Sequence, residues 1–332
     1  MSRVVVLTGA TGGVGRATAR ALAREGAAIA LIARDPDQLE ATAAEVRALG
    51  GTPLAIAVDV ADADAVEAAA TRVEDELGPI DVWINDAMTS VLAFVRDVSA
   101  EEFRQVTATT YLGVVNGTLS ALRRMLPRNR GVIVQVGSAL AYRGIPLQAP
   151  YCAAKHAVKG FTESLRAELL HDRSRVRVTM VHLPGLNTTQ FDWVRTRLPR
   201  APRPVAPVYQ PEVAARAVVW ASRHPRRREL WVGGSTVLAI AGAKLLPGIG
   251  DRYLARTAVE AQQTDRRVGP ERRRTDDVDA PVPGDRGAHG PFDDEGSRRS
   301  AQLWLTCHRR ALWSGAAALA AGLAAGAAGR RR

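Results

Sequence analysis

Short runs of β-branched and other apolar residues alternate with alanine-rich stretches from residue 3 to about residue 233. Such nearly continuous apolar runs, separated by helices, are typical of a parallel sheet that helices cover on both faces. The predicted strands are Val4–Leu7, Ala28–Ile32, Leu54–Val58, Val82–Ile84, Val132–Val136, Val176–Val181 and Leu230–Val232. The predicted helices are Gly15–Glu25, Gln38–Leu49, Ala63–Leu77, Glu101–Met125, Tyr151–Leu170 and Pro211–Ser222. The pattern therefore predicts an α/β fold with a doubly wound parallel sheet of about seven strands, whose ligands bind beyond the carboxyl ends of the strands.

A glycine-rich loop lies between the first predicted strand and the first predicted helix. Its residues are Thr8, Gly9, Ala10, Thr11, Gly12, Gly13, Val14 and Gly15. Glycines at positions 9, 13 and 15 permit a tight turn and let backbone N–H groups approach a pyrophosphate at the helix N-terminus. A glycine-rich loop alone also fits an ordinary turn, but its position between a strand and a helix favours a dinucleotide site.

Tyr151 and Lys155 are four residues apart in a predicted helix, so both side chains lie on the same face. Tyrosine has an ordinary pKa near 10, and a neighbouring cation is expected to lower it toward the range useful for proton transfer. The phenol would then donate a proton to a carbonyl oxygen or accept one from an alcohol. Ser138 follows the strand Val132–Val136, where its hydroxyl is expected to hydrogen-bond the substrate oxygen.

The glycine loop and the arrangement of Ser138, Tyr151 and Lys155 resemble those of the classical short-chain dehydrogenase/reductase family over about residues 3–233. The resemblance implies a Rossmann-like fold and hydride transfer between a nicotinamide and a carbonyl or secondary alcohol. It also implies that Tyr151 is the general acid/base and that Lys155 additionally binds the nicotinamide ribose. The cofactor contacts expected from the motifs are Thr8, Gly9, Thr11, Gly13, Val14, Gly15, Arg34, Asp59, Val60, Asn85, Ala87, Tyr151, Lys155, Pro184, Gly185 and Thr188.

Arg34 follows the second predicted strand, where an NAD-preferring enzyme would usually carry an acidic residue. An arginine there can bind the 2′-phosphate of NADP instead. Arg16, just after the glycine loop, could assist. A surface arginine is the alternative interpretation in this arginine-rich chain. We expect NADP(H) to be favoured over NAD(H).

Three residues depart from the family pattern. Asp86 and Met88 stand in a segment where the family usually reads Asn-Asn-Ala-Gly, and Thr110 stands where many members carry an asparagine that holds a water in a proton relay. A threonine hydroxyl could still hold that water. These departures keep a second hypothesis open, namely a nucleotide-binding sensor or scaffold with little turnover. The intact Ser138, Tyr151 and Lys155 favour the enzyme.

The formal net charge is +11, but almost all of the cationic residues are arginines that are scattered or lie in the tail. They form no basic stripe interleaved with aromatic residues, so no nucleic-acid partner is predicted. Cys152 and Cys307, the two cysteines, are too few and too widely spaced for a metal cluster or a disulfide framework. No signal peptide precedes the first strand. A cytoplasmic location and no metal site are therefore expected.

The sequence changes character near residue 260. Charged residues, glycine and proline dominate residues 260–300, so this segment is predicted to be a disordered linker after a catalytic domain at residues 1–259. Residues 301–332 form an Ala/Gly-rich apolar segment with a predicted helix, in which Ala311–Gly329 carries no charge. This length approaches that of a membrane span, and flanking arginines fit anchoring at a membrane interface. The alternative is an alanine-rich helix that is soluble, partly disordered or docked on a partner.

Other residues of chemical interest have weaker contexts. His156 is expected on a helix surface, His182 at a strand end and Cys152 in packing. Phe191 and Trp193, with Tyr209, lie in a Pro/Arg-rich insertion and either line an apolar substrate mouth or anchor an irregular loop. The family resemblance implies a small-molecule carbonyl or alcohol substrate. It also implies a homodimer or homotetramer with contacts through the predicted helices 101–125 and 151–170.

Overall fold

The computed structural model describes residues 2–268 and 276–309. Seven parallel strands form its central sheet, in the order β7-β6-β5-β4-β1-β2-β3. They are β1 Val4–Thr8, β2 Ala28–Ala33, β3 Thr52–Ala57, β4 Val82–Asn85, β5 Val132–Ser138, β6 Arg177–Leu183 and β7 Glu229–Trp231. The predicted sheet is thus confirmed. No boundary differs from its prediction by more than two residues; β3, for example, begins at Thr52 because it pairs there with Ala28.

The strand order reverses at β1, which creates the crevice expected of a doubly wound sheet. On one side of β1, Val6 pairs with Ala30 of β2, and on the other side it pairs with Trp83 of β4. The chain therefore leaves β1 and β4 in opposite directions along the sheet. The carboxyl ends of these two strands open onto the same crevice.

Helices cover both faces of the sheet, which explains why the strands are apolar on both sides. The helices are α1 Gly13–Ala23, α2 Pro36–Ala48, α3 Ala63–Leu77, α4 Ala100–Thr107, α5 Gly113–Met125, α6 Ala149–His171, α7 Gln190–Trp193, α8 Pro211–Arg223, α9 Gly234–Leu245 and α10 Pro247–Ala261. One core joins α1, α2 and α8 to the sheet, and a second joins α3, α5 and α6 to its other face.

The single helix predicted over Glu101–Met125 is interrupted. A π-helical turn over Ala108–Leu112 separates α4 from α5. Such a turn inserts an extra residue and is frequent near functional sites. Here it carries Thr110, whose hydroxyl bonds the backbone of Thr89 in the loop after β4.

The Pro/Arg-rich insertion is irregular, as predicted, with short elements of its own. Besides α7 it contains the strand pieces Arg195–Thr196 and Arg200–Pro202, which pair with Val91–Leu92 and Gln263–Arg267 respectively. The apolar stretch that follows β7 forms α9 and α10. These two helices lie beside the carboxyl ends of the strands.

Residues 276–300, here called the C-terminal strap, pack against the domain. Val278 is buried with Val91 and Val106, and the ring of Phe292 makes an edge contact with Phe191 at 6.1 Å between centroids. The disordered linker predicted for this segment is therefore wrong for its described residues. Its composition is poor in apolar side chains, but each of the few present fits into the domain surface.

An ion-pair cluster anchors the strap to α1 and α2. Arg16 is buried and donates to Glu45 and to Asp285 of the strap, at 3.0 Å to each. Because both carboxylates occupy its guanidinium, Arg16 does not take the part in cofactor binding that the sequence suggested. It joins the strap to the first helix.

Residues 301–309 are helical, and Leu303 packs into the core that joins α1, α2 and α8 to the sheet. Within residues 2–268 and 276–309, no helix has both the length and the apolar character that a membrane span requires. The uncharged segment Ala311–Gly329 lies outside the described residues. The division of the chain at residues 259 and 300 stays a prediction.

Candidate active site

A cavity of about 750 Å³ opens at the carboxyl ends of the strands. It is lined both by the glycine loop and by the side chains proposed for proton transfer. The sequence-predicted residues on its wall are Gly9, Thr11, Gly13, Val14, Arg34, Asp59, Val60, Ala87, Ser138, Tyr151, Lys155, Pro184, Gly185 and Thr188. Segments that are far apart in sequence therefore meet at one site.

Three other predicted residues do not line the cavity but lie behind its wall and hold the wall in place. The Thr8 hydroxyl accepts hydrogen bonds from the N–H groups of Asp86 and Ala87, at 3.0 and 3.2 Å. Asn85 is buried, and its amide donates to the side chain of Gln135 at 2.8 Å. At Gly15, an added Cβ would lie 2.0 Å from the carbonyl oxygen of Gly9. Thr8, Asn85 and Gly15 therefore fix the loops that form the wall.

Thr110 does not reach the cavity; its neighbour Thr109 lines the wall instead. Thr110 is fully buried, and its hydroxyl donates to the Thr89 carbonyl at 2.9 Å and accepts from the Thr89 N–H at 3.0 Å. Because the hydroxyl is already engaged in both directions, it braces the loop after β4. The structure does not bring it to Tyr151 or Lys155.

The glycine loop and the segment after β6 fit a pyrophosphate between them. Helix α1 begins at Gly13, and Gly13 and Val14 of its first turn, whose N–H groups have no partner within the helix, line the cavity. On the opposite side, the buried Thr189 hydroxyl has no hydrogen-bond partner in the described part of the chain. It lies 3.2 Å from the place where a Cβ at Gly12 would stand. An unpaired hydroxyl beside orphan N–H groups is the donor set that a phosphate group requires.

Tyr151 lies inside the cavity and is hydrogen-bonded to Ser138. Burial raises the pKa of Tyr151 above its ordinary value, and the bond to Ser138 opposes this only in part. The lowering expected from Lys155 is therefore not present. The Lys155 ammonium is 5.6 Å from the centre of the Tyr151 ring. The cost of desolvating the phenolate is larger than the stabilisation that this charge gives it.

Lys155 and Asp86 lie near each other beside Tyr151, and their charges interact. The Lys155 ammonium donates to the Val136 carbonyl at 2.7 Å. Burial lowers the pKa of Lys155, and the charge of Asp86 opposes that effect. Conversely, burial raises the pKa of Asp86, opposed by Lys155 and by a hydrogen bond from the Gly15 N–H. A carboxyl group thus stands where the family usually has an amide.

Hydrogen bonds to its hydroxyl and at its backbone carbonyl hold Ser138 in place. Its hydroxyl accepts from the Leu140 N–H at 3.1 Å, and its carbonyl lies 3.0 Å from Nδ1 of the buried His182. His182 therefore supports Ser138 from the end of β6, where the sequence placed it. Nδ1 of His156 lies 2.8 Å from the Cys152 carbonyl within the same helix, and the Cys152 side chain is buried.

The end of the cavity at which the sequence predicts the ribose, here called the ribose end, contains Arg34 together with Gln38. The Arg34 guanidinium donates to the backbone carbonyl of Asp277, a residue of the C-terminal strap. Asp277, Pro281 and Val282 line the same end of the cavity. These strap residues were missed from the sequence, where nothing in a charged, proline-containing segment indicates contact with a site formed some 240 residues earlier.

Part of the cavity wall is apolar. Phe191 and Trp193 belong to it, and the Trp193 ring lies beside the glycine loop, 3.6 Å from the place where a Cβ at Gly12 would stand. Tyr209 does not line the cavity and packs its ring against Gly233 instead. Helices α9 and α10 complete this wall with Leu238, Ala239, Tyr253 and Leu254. Nothing in the sequence indicated that these helices contribute to the site.

Comparisons with known proteins agree with this geometry. A family model described as short chain dehydrogenase matches residues 3–197. An uncharacterized oxidoreductase of Bacillus subtilis (strain 168), YxnA, is 31% identical over 332 residues, which are 99% of this chain and 91% of that protein. An NADPH-dependent pterin aldehyde reductase of Arabidopsis thaliana is 32% identical over 191 residues, 57% of this chain and 77% of that protein.

A solved structure is also similar. The alcohol dehydrogenase from the archaeon Thermococcus sibiricus, complexed with 5-hydroxy-NADP, superposes with a TM-score of 0.59 and 28% sequence identity. The match covers 70% of this chain and 96% of that one. The fold, the cavity and the family match over more than half of the sequence lead to one conclusion: the chain belongs to the short-chain dehydrogenase/reductase family and is an NAD(P)-dependent oxidoreductase.

Proposed function

We propose that the protein transfers hydride between NADP(H) and a carbonyl or secondary alcohol, with Tyr151 as general acid/base. The observation that carries this proposal is the convergence of Ser138, Tyr151 and Lys155 on the cavity that the glycine loop also lines. A protein that only bound a nucleotide would not need a hydrogen-bonded phenol and serine beside a buried ammonium.

The nicotinamide supplies the hydride when the cofactor is bound. Tyr151 supplies the proton, since its raised pKa keeps the phenol neutral at physiological pH, and the neutral phenol is the form that donates. Ser138 orients the substrate oxygen through its hydroxyl. Lys155 holds a positive charge beside Tyr151 and stabilises the phenolate as the proton leaves.

The preference for NADP(H) is supported by Arg34, which stands at the ribose end of the cavity. The pterin aldehyde reductase is named as NADPH-dependent, and the archaeal structure holds an NADP derivative. An arginine near the ribose attracts a 2′-phosphate and offers several N–H donors to it. NADPH is therefore the cofactor to test first.

The substrate class that fits best is an apolar carbonyl compound. Phe191, Leu238 and Leu254 stand on the cavity wall, and apolar walls favour apolar ligands. A homodimer or homotetramer follows from the family. We place the protein in the cytoplasm, a reducing compartment consistent with free thiols at Cys152 and Cys307.

The first test is oxidation of NADPH and of NADH by the purified protein against a panel of aromatic and aliphatic aldehydes and ketones. We expect turnover with NADPH that Tyr151→Phe lowers by about 10²–10⁴-fold, because the proton donor is lost. Cys152→Ser is the matched control, since it changes the adjacent residue, which packs in the helix, and should keep most of the activity.

Binding of NADPH measured by fluorescence separates the two hypotheses. If NADPH binds, nothing turns over and Tyr151→Phe behaves as wild type, the sensor or scaffold hypothesis replaces the enzyme. If neither nucleotide binds, both hypotheses fail.

A further inference from the structure

The C-terminal strap forms part of the cofactor cavity at its ribose end. Asp277 and Val282 line the cavity beside Arg34 and Gln38. The Gln38 amide donates to the Val282 carbonyl at 2.6 Å, which ties the strap to the start of α2. This wall is therefore made of residues from the two ends of the described chain.

The strap is held in register on both sides of Asp277. Arg195 donates to Asp276 at 2.8 Å and also to Asp279. Val278 is buried in an apolar cluster between them. Because its neighbours are fixed to the domain, Asp277 has a defined place in the cavity wall.

This end of the cavity carries both a positively and a negatively charged group, the Arg34 guanidinium and the Asp277 carboxyl. The Arg34 guanidinium is bonded to the Asp277 backbone, and its charge acts on the Asp277 carboxyl. Burial nevertheless raises the pKa of that carboxyl to about 6, so it is mostly ionised at neutral pH. Asp35, the other acid on this wall, caps α2 by accepting from the N–H groups of Asp37 and Gln38. The Asp277 carboxyl, which also interacts with Thr89, is therefore the carboxylate that stands beside Arg34 on this wall.

We propose that Asp277 is a specificity-determining residue that opposes the preference of Arg34 for a 2′-phosphate. A carboxylate repels a phosphate group, whereas it accepts a hydrogen bond from the 2′-hydroxyl of NAD(H). Arg34 and Asp277 together thus set the ratio of affinities for the two cofactors. The inference rests on the proposed function, since it assumes that the nucleotide lies in this cavity with its ribose at Arg34.

The test is binding of NADPH and NADH to the full chain with Asp277→Asn, which keeps the size of the side chain and removes its charge. We expect the Kd for NADPH to fall about tenfold, and that for NADH to stay level or rise. The pair 2′,5′-ADP and 5′-AMP, which differ only in the 2′-phosphate, should show the same change in ratio. Asp279→Asn is the control, because this strap carboxylate pairs with Arg195 and faces solvent.

The outcomes separate the inference from the proposed function. If the wild type binds both nucleotides but Asp277→Asn leaves the ratio of their Kd values unchanged, the inference alone fails. Equal weakening of both nucleotides also overturns it, because that result assigns Asp277 a purely structural part. Asp277→Ser, with its melting temperature measured, repeats the test if the asparagine variant is unstable. If the wild type binds neither nucleotide, the proposed function itself fails.

Discussion

Thr8 shows how a residue predicted to contact a cofactor can instead position the groups that do. Its hydroxyl lies at the end of β1 and accepts hydrogen bonds from the N–H groups of Asp86 and Ala87. These bonds join β1 to the loop after β4 across the crevice. The hydroxyl oxygen, more than the methyl group, is what this position requires.

We predict that Thr8→Val lowers the free energy of unfolding by about 2 kcal/mol, because two backbone N–H groups lose their acceptor in a buried place. Urea denaturation followed by circular dichroism measures this change. Thr8→Ser keeps the oxygen and should retain most of the stability. Equal losses in the two variants would show that packing of the methyl group, not the hydrogen bonds, is responsible.

At the level of single residues, the sequence predicted those whose chemistry depends on local spacing. Gly9 was identified from its place in the glycine loop, and Tyr151 and Lys155 from their separation by one helical turn. The pKa of Tyr151 was predicted in the wrong direction, since burial depends on residues from many distant segments. Asp277 could not be predicted, because its contact with Arg34 forms only after the strap has folded back.

The strap carries a second feature, a histidine between two carboxylates. Nε2 of His289 lies 2.8 Å from Glu212 at the start of α8, and Nδ1 lies 2.6 Å from Asp293. Burial works against protonation, but the hydrogen bonds to Glu212 and Asp293 outweigh it, so the pKa of His289 is raised above its ordinary 6.5. The charged imidazole therefore ties the strap to the domain.

The sign of the resulting pH dependence follows from this raised pKa. A group whose pKa is raised in the folded state contributes its full stabilisation below the unfolded-state pKa, here 6.5. That stabilisation is lost as the pH rises through the folded-state pKa. We predict that the melting temperature of the wild type exceeds that of His289→Gln most at about pH 6, and that the difference shrinks toward about pH 8.

Thermal unfolding at several pH values, followed by circular dichroism, measures this difference. His224→Gln is the control, since His224 stacks on Trp220 rather than lying between carboxylates. A constant difference across the pH range would contradict the prediction.

The elements themselves were largely predictable. All seven strands and the helices around them follow from the alternation of apolar runs, because that pattern is dictated by burial on both faces of the sheet. The π-helical turn was missed, since it depends on the bond between Thr110 and Thr89. The strap was predicted to be disordered because its few anchors, such as Val278 and Phe292, stand too far apart to form a pattern.

For the whole molecule, α5 and the residues directly before and after it present an apolar stripe suited to self-association. Leu112, Leu119 and Leu126 are 45%, 44% and 43% exposed and are spaced seven residues apart, so they lie on one face. This face belongs to one of the two predicted contact helices. Exposed leucines in a row are the kind of apolar surface that a second copy covers.

We predict that Leu119→Glu gives a monomer in light scattering at micromolar concentration, whereas the wild type is a dimer or tetramer. A buried, unpaired carboxylate in the contact is the reason. Leu245→Glu is the control, since this residue is exposed on α9, away from the stripe. An unchanged mass for Leu119→Glu would place the contact elsewhere.

Because Asp277 and Val282 complete a cavity that begins at Gly9, the order of synthesis matters. A growing chain has all seven strands once residue 231 has been made, yet lacks this wall until the strap follows, on the order of seconds later. Until then this end of the cavity is open. An insertion in the strap therefore changes the wall of a cavity that Gly9 also lines, although the two segments are remote from each other in the gene.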